Sequence, residues 1–189
     1  MTSFVLHLLR HGEPEGAGAL IGRTDAASTV AGIAACVTQA QGLKAPVLIA
    51  SDLSRARLAG EAIGAAAGTA LAIDPRWREL DFGTWDGKPP ADIDNAALAR
   101  FWDDPDVHAP PGGECWSALK CRVSAAVGDL APRATLIVTH AGAMRAALAV
   151  LCGFDARQVW AFDLPYAGLL SLRVWPGANP VAQIMGLRP

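Results

Sequence analysis

Two histidines stand where apolar runs end. Phe4-Val5-Leu6-His7-Leu8-Leu9 leads into Arg10-His11-Gly12, and Leu136-Ile137-Val138 leads into Thr139-His140-Ala141-Gly142. An imidazole that is neutral near pH 7 is a nucleophile, and a guanidinium beside it is a fork of donors matched to an anionic oxygen group. Phosphoryl transfer is the first chemistry this pair suggests. Ser51-Asp52-Leu53-Ser54-Arg55-Ala56-Arg57 adds a second cation, with Arg55 about one turn into a helix that follows a strand. Arg57 lies roughly 200° further round that helix and is expected in solvent. A departing alkoxide needs a proton, and Arg76-Trp77-Arg78-Glu79-Leu80-Asp81 offers Glu79 or Asp81 to give it, although carboxylates near Arg76 and Arg78 also form plain ion pairs.

These groups are far apart in sequence, so the fold must gather them. Phe4 to Leu9, Val47 to Ala50, Leu71 to Ile73, Leu136 to Thr139 and Leu169 to Trp175 read as strands. Thr29 to Gln41, Leu53 to Ala67, Glu114 to Leu130 and Ala141 to Leu151 carry apolar residues at helical spacing, with Ser51 or Asp52, and Thr139, as starts. The alternation predicts an α/β fold: a single-domain α/β/α sandwich in three layers with a mostly parallel sheet, its strands joined by helical crossovers. Ligands of such sheets bind where strands end, which is where both histidines fall. The Gly- and Pro-rich stretch 87–113, with a short helix around Ala91 to Trp102, is expected to be a cap-like insertion in the single domain 1–189.

Composition narrows the partners. The chain has 189 residues, 52% hydrophobic and 18% charged, with a formal net charge of −2, which offers no broad basic surface for nucleic acid or an anionic membrane. No apolar run is long enough for a membrane span, and the N-terminus shows no leader pattern, so a cytoplasmic protein is expected. Cys36, Cys115, Cys121 and Cys152 are scattered without metal-ligand spacing and are expected to be reduced and mostly packed. His7 and His11 are four apart, a spacing for a helix rather than a strand, so neither a metal site nor a cofactor is expected. His7 should pack in the sheet and His108 should be exposed. Trp77, Trp85 and Trp102 bracket the middle insertion, and most tryptophans are expected in the core.

Taken in order, Arg10-His11-Gly12, Ser51-x-Leu53-x-Arg55-Ala56, Arg78-Glu79 and Thr139-His140 resemble the histidine phosphatase superfamily, also called phosphoglycerate mutase-like, over nearly the whole chain. The resemblance implies that His11 is the nucleophile and forms a phosphohistidine. It implies that Arg10, Arg55 and a protonated His140 bind the phosphoryl oxygens, that Glu79 is the proton donor, and that Arg23 in Gly22-Arg23-Thr24-Asp25 contacts substrate. That segment, Leu80 to Gly87 and Pro110 to Glu114 are most similar to α-ribazole phosphatases of cobalamin biosynthesis, and occur also in sugar-phosphate phosphatases. The implied substrate is a small phosphate monoester.

The chain also departs from the family pattern. Pro14-Glu15-Gly16 stands where mutases have Trp-Asn, Ser28 where a leucine is common, and Ala59 where a threonine follows the arginine-bearing turn. The missing asparagine removes one phosphate contact and weighs against the alternative of a phosphoglycerate mutase. A second alternative, a non-catalytic binding module, is disfavoured by the complete set of catalytic residue types.

Overall fold

The computed structural model describes residues 2–189. Strands β1 (Phe4–Arg10), β2 (Val47–Ala50), β3 (Leu71–Ile73), β4 (Thr135–Thr139), β5 (Leu169–Trp175) and β6 (Val181–Arg188) form one sheet of order β3-β2-β4-β1-β5-β6. The β3-β2-β4-β1 half is parallel, while β5 and β6 run antiparallel at the other edge. The mostly parallel α/β sheet is as expected. The antiparallel edge corrects the expectation of helical crossovers throughout, and β6 is a strand beyond those expected.

The helices are α1 (Val30–Ala40), α2 (Ser54–Ala67), α3 (Asn95–Asp103), α4 (Trp116–Gly128), α5 (Ala141–Cys152) and α6 (Ala156–Trp160). Side chains alternate across the sheet, as the pleat requires. Leu9, Leu136 and Val138 face a core shared with Cys36 of α1 and Ala56, Ala59 and Ile63 of α2. Leu6, Leu8 and Ile137 face the other core, with Leu119 and Val123 of α4 and Met144 and Leu148 of α5. Three layers result.

The register of β1 against β4 positions the site. Arg10 pairs with Thr139, so the two strands end level and hand the chain on to His11 and His140 side by side. From there β1 leads to the α1 face and β4 to the α5 face. The chain thus diverges to opposite sides of the sheet between neighbouring strands, which opens a crevice at their carboxyl ends. Gly12 is required at this point, because a Cβ there would collide with the backbone of Gly32 in α1.

Local chemistry sets the helix starts. Thr29 caps α1 by accepting from the amide of Gly32. The expectation that Ser51 or Asp52 starts α2 is corrected: the carboxylate of Asp25 accepts from the amide and hydroxyl of Ser54. Ser51 instead accepts from Leu53 N–H, and Asp52 pairs with Arg78. Thr139 likewise is not the start of α5, since its hydroxyl donates to the carbonyl of Trp77.

In 87–113 the helix begins later than expected. Pro90–Asp92 makes a single tight turn, and Asp94 caps α3 through the amide of Ala97. Phe101 on that helix is buried edge-on against Phe82 and Trp85. Trp77, Trp85 and Trp116 are buried, but Trp102 and Trp160 are 40% and 36% exposed and meet edge to face, so the tryptophans divide between core and rim. Cys36 is buried and Cys121 is exposed. His7 bonds to Ser171 across the sheet and His108 is exposed. No helix among the described residues is long and apolar enough to cross a membrane.

Candidate active site

His11 and His140 lie with ring centroids 5.0 Å apart at 61°, one 4% exposed and the other fully buried. The Nδ1 of His11 is 2.7 Å from the carbonyl of its neighbour Gly12. A carbonyl only accepts, so Nδ1 carries the proton and Nε2 keeps its lone pair. Burial, together with the charge of Arg55, lowers the pKa of His11 to about 3, leaving the ring neutral and nucleophilic across the physiological range. Among the described residues, neither ring nitrogen of His140 has a hydrogen-bond partner. Without an anion beside it His140 is held neutral: its pKa is driven well below the ordinary value, first by burial and then by Arg55, His11, Arg122 and Arg10.

Arg10 and Arg55 both reach this place. Arg55 is fully buried, yet it forms no ion pair among the described residues. Its NH1 donates to the carbonyl of Thr24 at 2.8 Å and its NH2 to those of Ile21 and Gly22 at 3.0 and 2.8 Å, leaving a buried Nε without partner. Three carbonyls of one loop thus fix the guanidinium plane, and Glu79, Asp86 and Asp25 act on the charge only through space. The loop is in turn held by Asp86, whose carboxylate accepts from the amides of Gly22, Arg23 and Thr24. Arg10 donates to Leu164 O at 2.6 Å, lies 4.0 Å over the ring of Tyr166 and also keeps a buried, unpartnered Nε. Arg57 pairs with Glu61 on the surface, as its helical position implied.

Glu79 enters from the loop after β3. Its Oε2 accepts from the amide of Gly142 in the first turn of α5 at 3.2 Å and its Oε1 from Leu80 N–H at 2.9 Å. A helix start is a natural seat for a carboxylate. Only glycine permits it, because a Cβ at position 142 would collide with Oε1 of Glu79. Of the two candidate acids Glu79 lines the cleft, while Asp81 accepts from Gly83 N–H and pairs with Arg23. Arg76 and Arg78 are engaged by Asp74, Asp129 and Asp52, so they leave Glu79 alone.

Six expected site residues thus fall into two groups. His11, Glu79, Arg10 and Arg55 line one cleft of about 170 Å³, with His140 against His11 behind it. Arg23 is not brought into the cleft lining; its Nε binds Asp81 at 3.3 Å, and its loop serves the site through the backbone carbonyls that hold Arg55.

Sequence reasoning missed three contributors. Tyr166 stands 5.6 Å from the His11 ring. Arg145 lines the cleft from α5. Arg122 of α4 donates to the carbonyls of Arg76, Arg78 and Glu79 while pairing with Glu114, and so shapes the whole acid-bearing segment. For Arg145 a signal existed, as it lies three residues beyond Gly142 on one helical face. The outer walls are aromatic and apolar, among them Phe82, Phe101, Trp102, Trp116 and Trp160.

A neutral imidazole lone pair, desolvated cations around it and a carboxyl group opposite describe a phosphoryl-transfer site. Residues 6–184 match the model of the histidine phosphatase superfamily (branch 1), and the chain belongs to that family. It is 34% identical over 166 residues to a glucosyl-3-phosphoglycerate phosphatase of Mycolicibacterium vanbaalenii, covering 78% of this chain and 74% of the relative. It is 27% identical over 169 residues to the adenosylcobalamin/α-ribazole phosphatase of Escherichia coli, covering 83% of each. Among solved structures, a mycobacterial hydrolase superposes with a TM-score of 0.86 at 25% identity, over 98% of this chain and 91% of that one.

Proposed function

We propose that the protein is a phosphomonoesterase that hydrolyses a small phosphorylated metabolite through a phosphohistidine on His11. The observation that carries this reading is the fixed tautomer of His11, with Nδ1–H on the Gly12 carbonyl and Nε2 free in a cleft shared with Arg10, Arg55 and Glu79.

Nε2 attacks phosphorus, the bond from phosphorus to the leaving oxygen breaks, and protonated Glu79 gives its proton to that oxygen. The charge that develops on the ring is steadied by the Gly12 carbonyl. Ionised Glu79 then takes a proton from water as the water oxygen attacks phosphorus and the P–N bond breaks, which returns neutral His11. The unmatched N–H groups of Arg10 and Arg55 are oriented in advance toward the non-bridging oxygens, the arrangement in which electrostatic stabilisation is strongest. A phosphoryl dianion between the two histidines also reverses the sign of the charge acting on His140. It takes up a proton as substrate binds and donates to the third oxygen.

The segment 87–113 serves as a cap over a single catalytic domain, supplying Phe101, Trp102 and Pro105 to the cleft wall. For the alcohol half there are two candidates. The aromatic wall fits the flat base of α-ribazole 5′-phosphate, as a role in cobalamin biosynthesis requires, and the 34% relative speaks for a phosphoglycerate derivative. A screen over α-ribazole phosphate, sugar phosphates, phosphoglycerates and nucleotides tests the function. Release of inorganic phosphate by the wild type and loss of it in His11→Ala is the expected result. Isomerisation of phosphoglycerate faster than hydrolysis would make the protein a mutase instead, and inertness toward every monoester would end the enzymatic reading.

A further inference from the structure

We propose that Arg145 is the receptor for a second anionic group, a carboxylate or a second phosphate, carried by the alcohol half of the substrate close to the ester. The proposal rests on the phosphomonoesterase reading and adds to it a class of substrate.

Arg145 is held as Arg10 is held. Each guanidinium gives a single hydrogen bond to a carbonyl of the α6–β5 connection, Arg10 to Leu164 and Arg145 to Phe162. Each lies over an aromatic ring, 4.0 Å above Tyr166 for Arg10 and 4.3 Å above Trp160 for Arg145. Among the described residues, each retains a buried Nε without partner. A ring face orients and dries a guanidinium while leaving its edge open, which is how arginine presents itself to a planar or tetrahedral anion.

The cleft carries more positive than negative charge in its lining. Arg10, Arg55 and Arg145 line it, and among the described residues the one lining carboxylate is that of Glu79, which must carry a proton to act as the acid. Arg10 and Arg55 suffice for the dianionic phosphoryl group. Glu79 and Asp163 act on both Arg10 and Arg145 through space, but among the described residues neither arginine forms an ion pair. A desolvated, unmatched cation is costly to keep in a folded protein.

Position assigns the extra anion to the leaving group. The amide of Gly142 holds Glu79, the donor to the leaving oxygen. Arg145 is three residues on, about 4.5 Å further along the same face of α5 and away from the phosphoryl group. An anionic substituent a few bonds from the ester oxygen falls within its reach. An uncharged alcohol leaves Arg145 unmatched, so the site favours acid-bearing phosphate esters such as phosphoglycerate derivatives over α-ribazole phosphate.

Three substrates with a common skeleton test this: 3-phosphoglycerate, glycerol 3-phosphate, which replaces the carboxylate by a hydroxymethyl group, and 1,3-propanediol bisphosphate. The wild type should prefer at least one of the doubly anionic esters to glycerol 3-phosphate by about 10- to 100-fold in kcat/KM, chiefly through KM. The larger preference tells carboxylate from phosphate. Arg145→Met, which keeps an apolar stem over Trp160, should bring that preference to within about 3-fold. Equal use of all three by the wild type, or an equal loss on all three in the variant, overturns the proposal. Turnover of glycerol 3-phosphate tests the phosphomonoesterase reading separately. Where turnover is absent, dissociation constants of the same three compounds for His11→Asn protein, with and without Arg145→Met, replace kcat/KM: a preference for a doubly anionic compound that Arg145→Met abolishes supports the proposal, and equal binding of all three overturns it.

Discussion

Two groups of arginines in this protein differ, those that line the cleft and those around the acid-bearing loop. Arg10, Arg55 and Arg145 line the cleft, donate to backbone carbonyls and, among the described residues, keep a buried Nε unpartnered. Arg76, Arg78 and Arg122, on and around the 74–81 segment, are paired with Asp74, Asp129, Asp52 and Glu114. Burial pushes the pKa of Arg10, Arg55 and Arg145 down, whereas carboxylate partners push those of Arg76 and Arg78 up. On the proposed function, a paired arginine completes the fold and an unpaired one is kept for substrate. The first kind should therefore be felt in stability and the second in catalysis.

The largest expected effect is on catalysis. Arg10→Ala should lower kcat/KM by about two to three decades. Because it removes a desolvated charge with no carboxylate paired to it, the melting temperature should stay level or rise. A drop in melting temperature as large as that of a core truncation would erase the distinction between the two populations. Arg122→Ala should do the reverse, costing about 2–4 kcal/mol in denaturant unfolding, since it strands Glu114 and three backbone carbonyls in a mostly buried place. Its catalytic loss should follow from displacement of Glu79.

Gly142→Ala separates position from stability within the site. The added methyl group must push Glu79 aside, so kcat should fall by about 100-fold, while the helix, which tolerates alanine better than glycine, should melt no lower. Acid unfolding gives a smaller effect. The pKa of both histidines is depressed in the folded protein, so below about pH 6.5 the unfolded chain binds more protons and stability falls as the pH falls. Each histidine contributes up to about 1.4 kcal/mol per pH unit. The loss from His11 ends near pH 3, its folded pKa being about 3. His140→Asn should flatten the slope measured between about pH 6 and 4. Least of all, Arg157→Ala removes an exposed pair with Asp103 and should change stability by less than about 0.5 kcal/mol.

Much of this is legible in the chain because β1 and β4 announce themselves by apolar runs that end on their histidines. Their parallel pairing then makes the two motifs neighbours in space. Strand polarity has no such signature, so the sequence marks β5 as a strand without marking it antiparallel. The residues between Trp175 and Val181, Pro176-Gly177-Ala178-Asn179-Pro180, are turn formers that signal a hairpin. The strand that follows, β6, is hard to read because it is largely exposed and its apolar residues do not alternate cleanly. The roles of Arg122 and Tyr166 depend on which loop packs where, a tertiary fact that local spacing does not carry. Arg23 shows the converse error: its residue type points to substrate, while the fold employs the carbonyls of its loop.

The proposed chemistry depends above all on His11 acting through Nε2. Rapid mixing with a ³²P-labelled substrate, quenching in alkali and mapping of the labelled peptide tests this most directly. The expected result is a base-stable, acid-labile phosphoryl group on Nε2 of His11, formed and lost at rates competent for turnover and absent from His11→Ala. Hydrolysis without any labelled histidine, or with the label on Nδ1 or on His140, would contradict it.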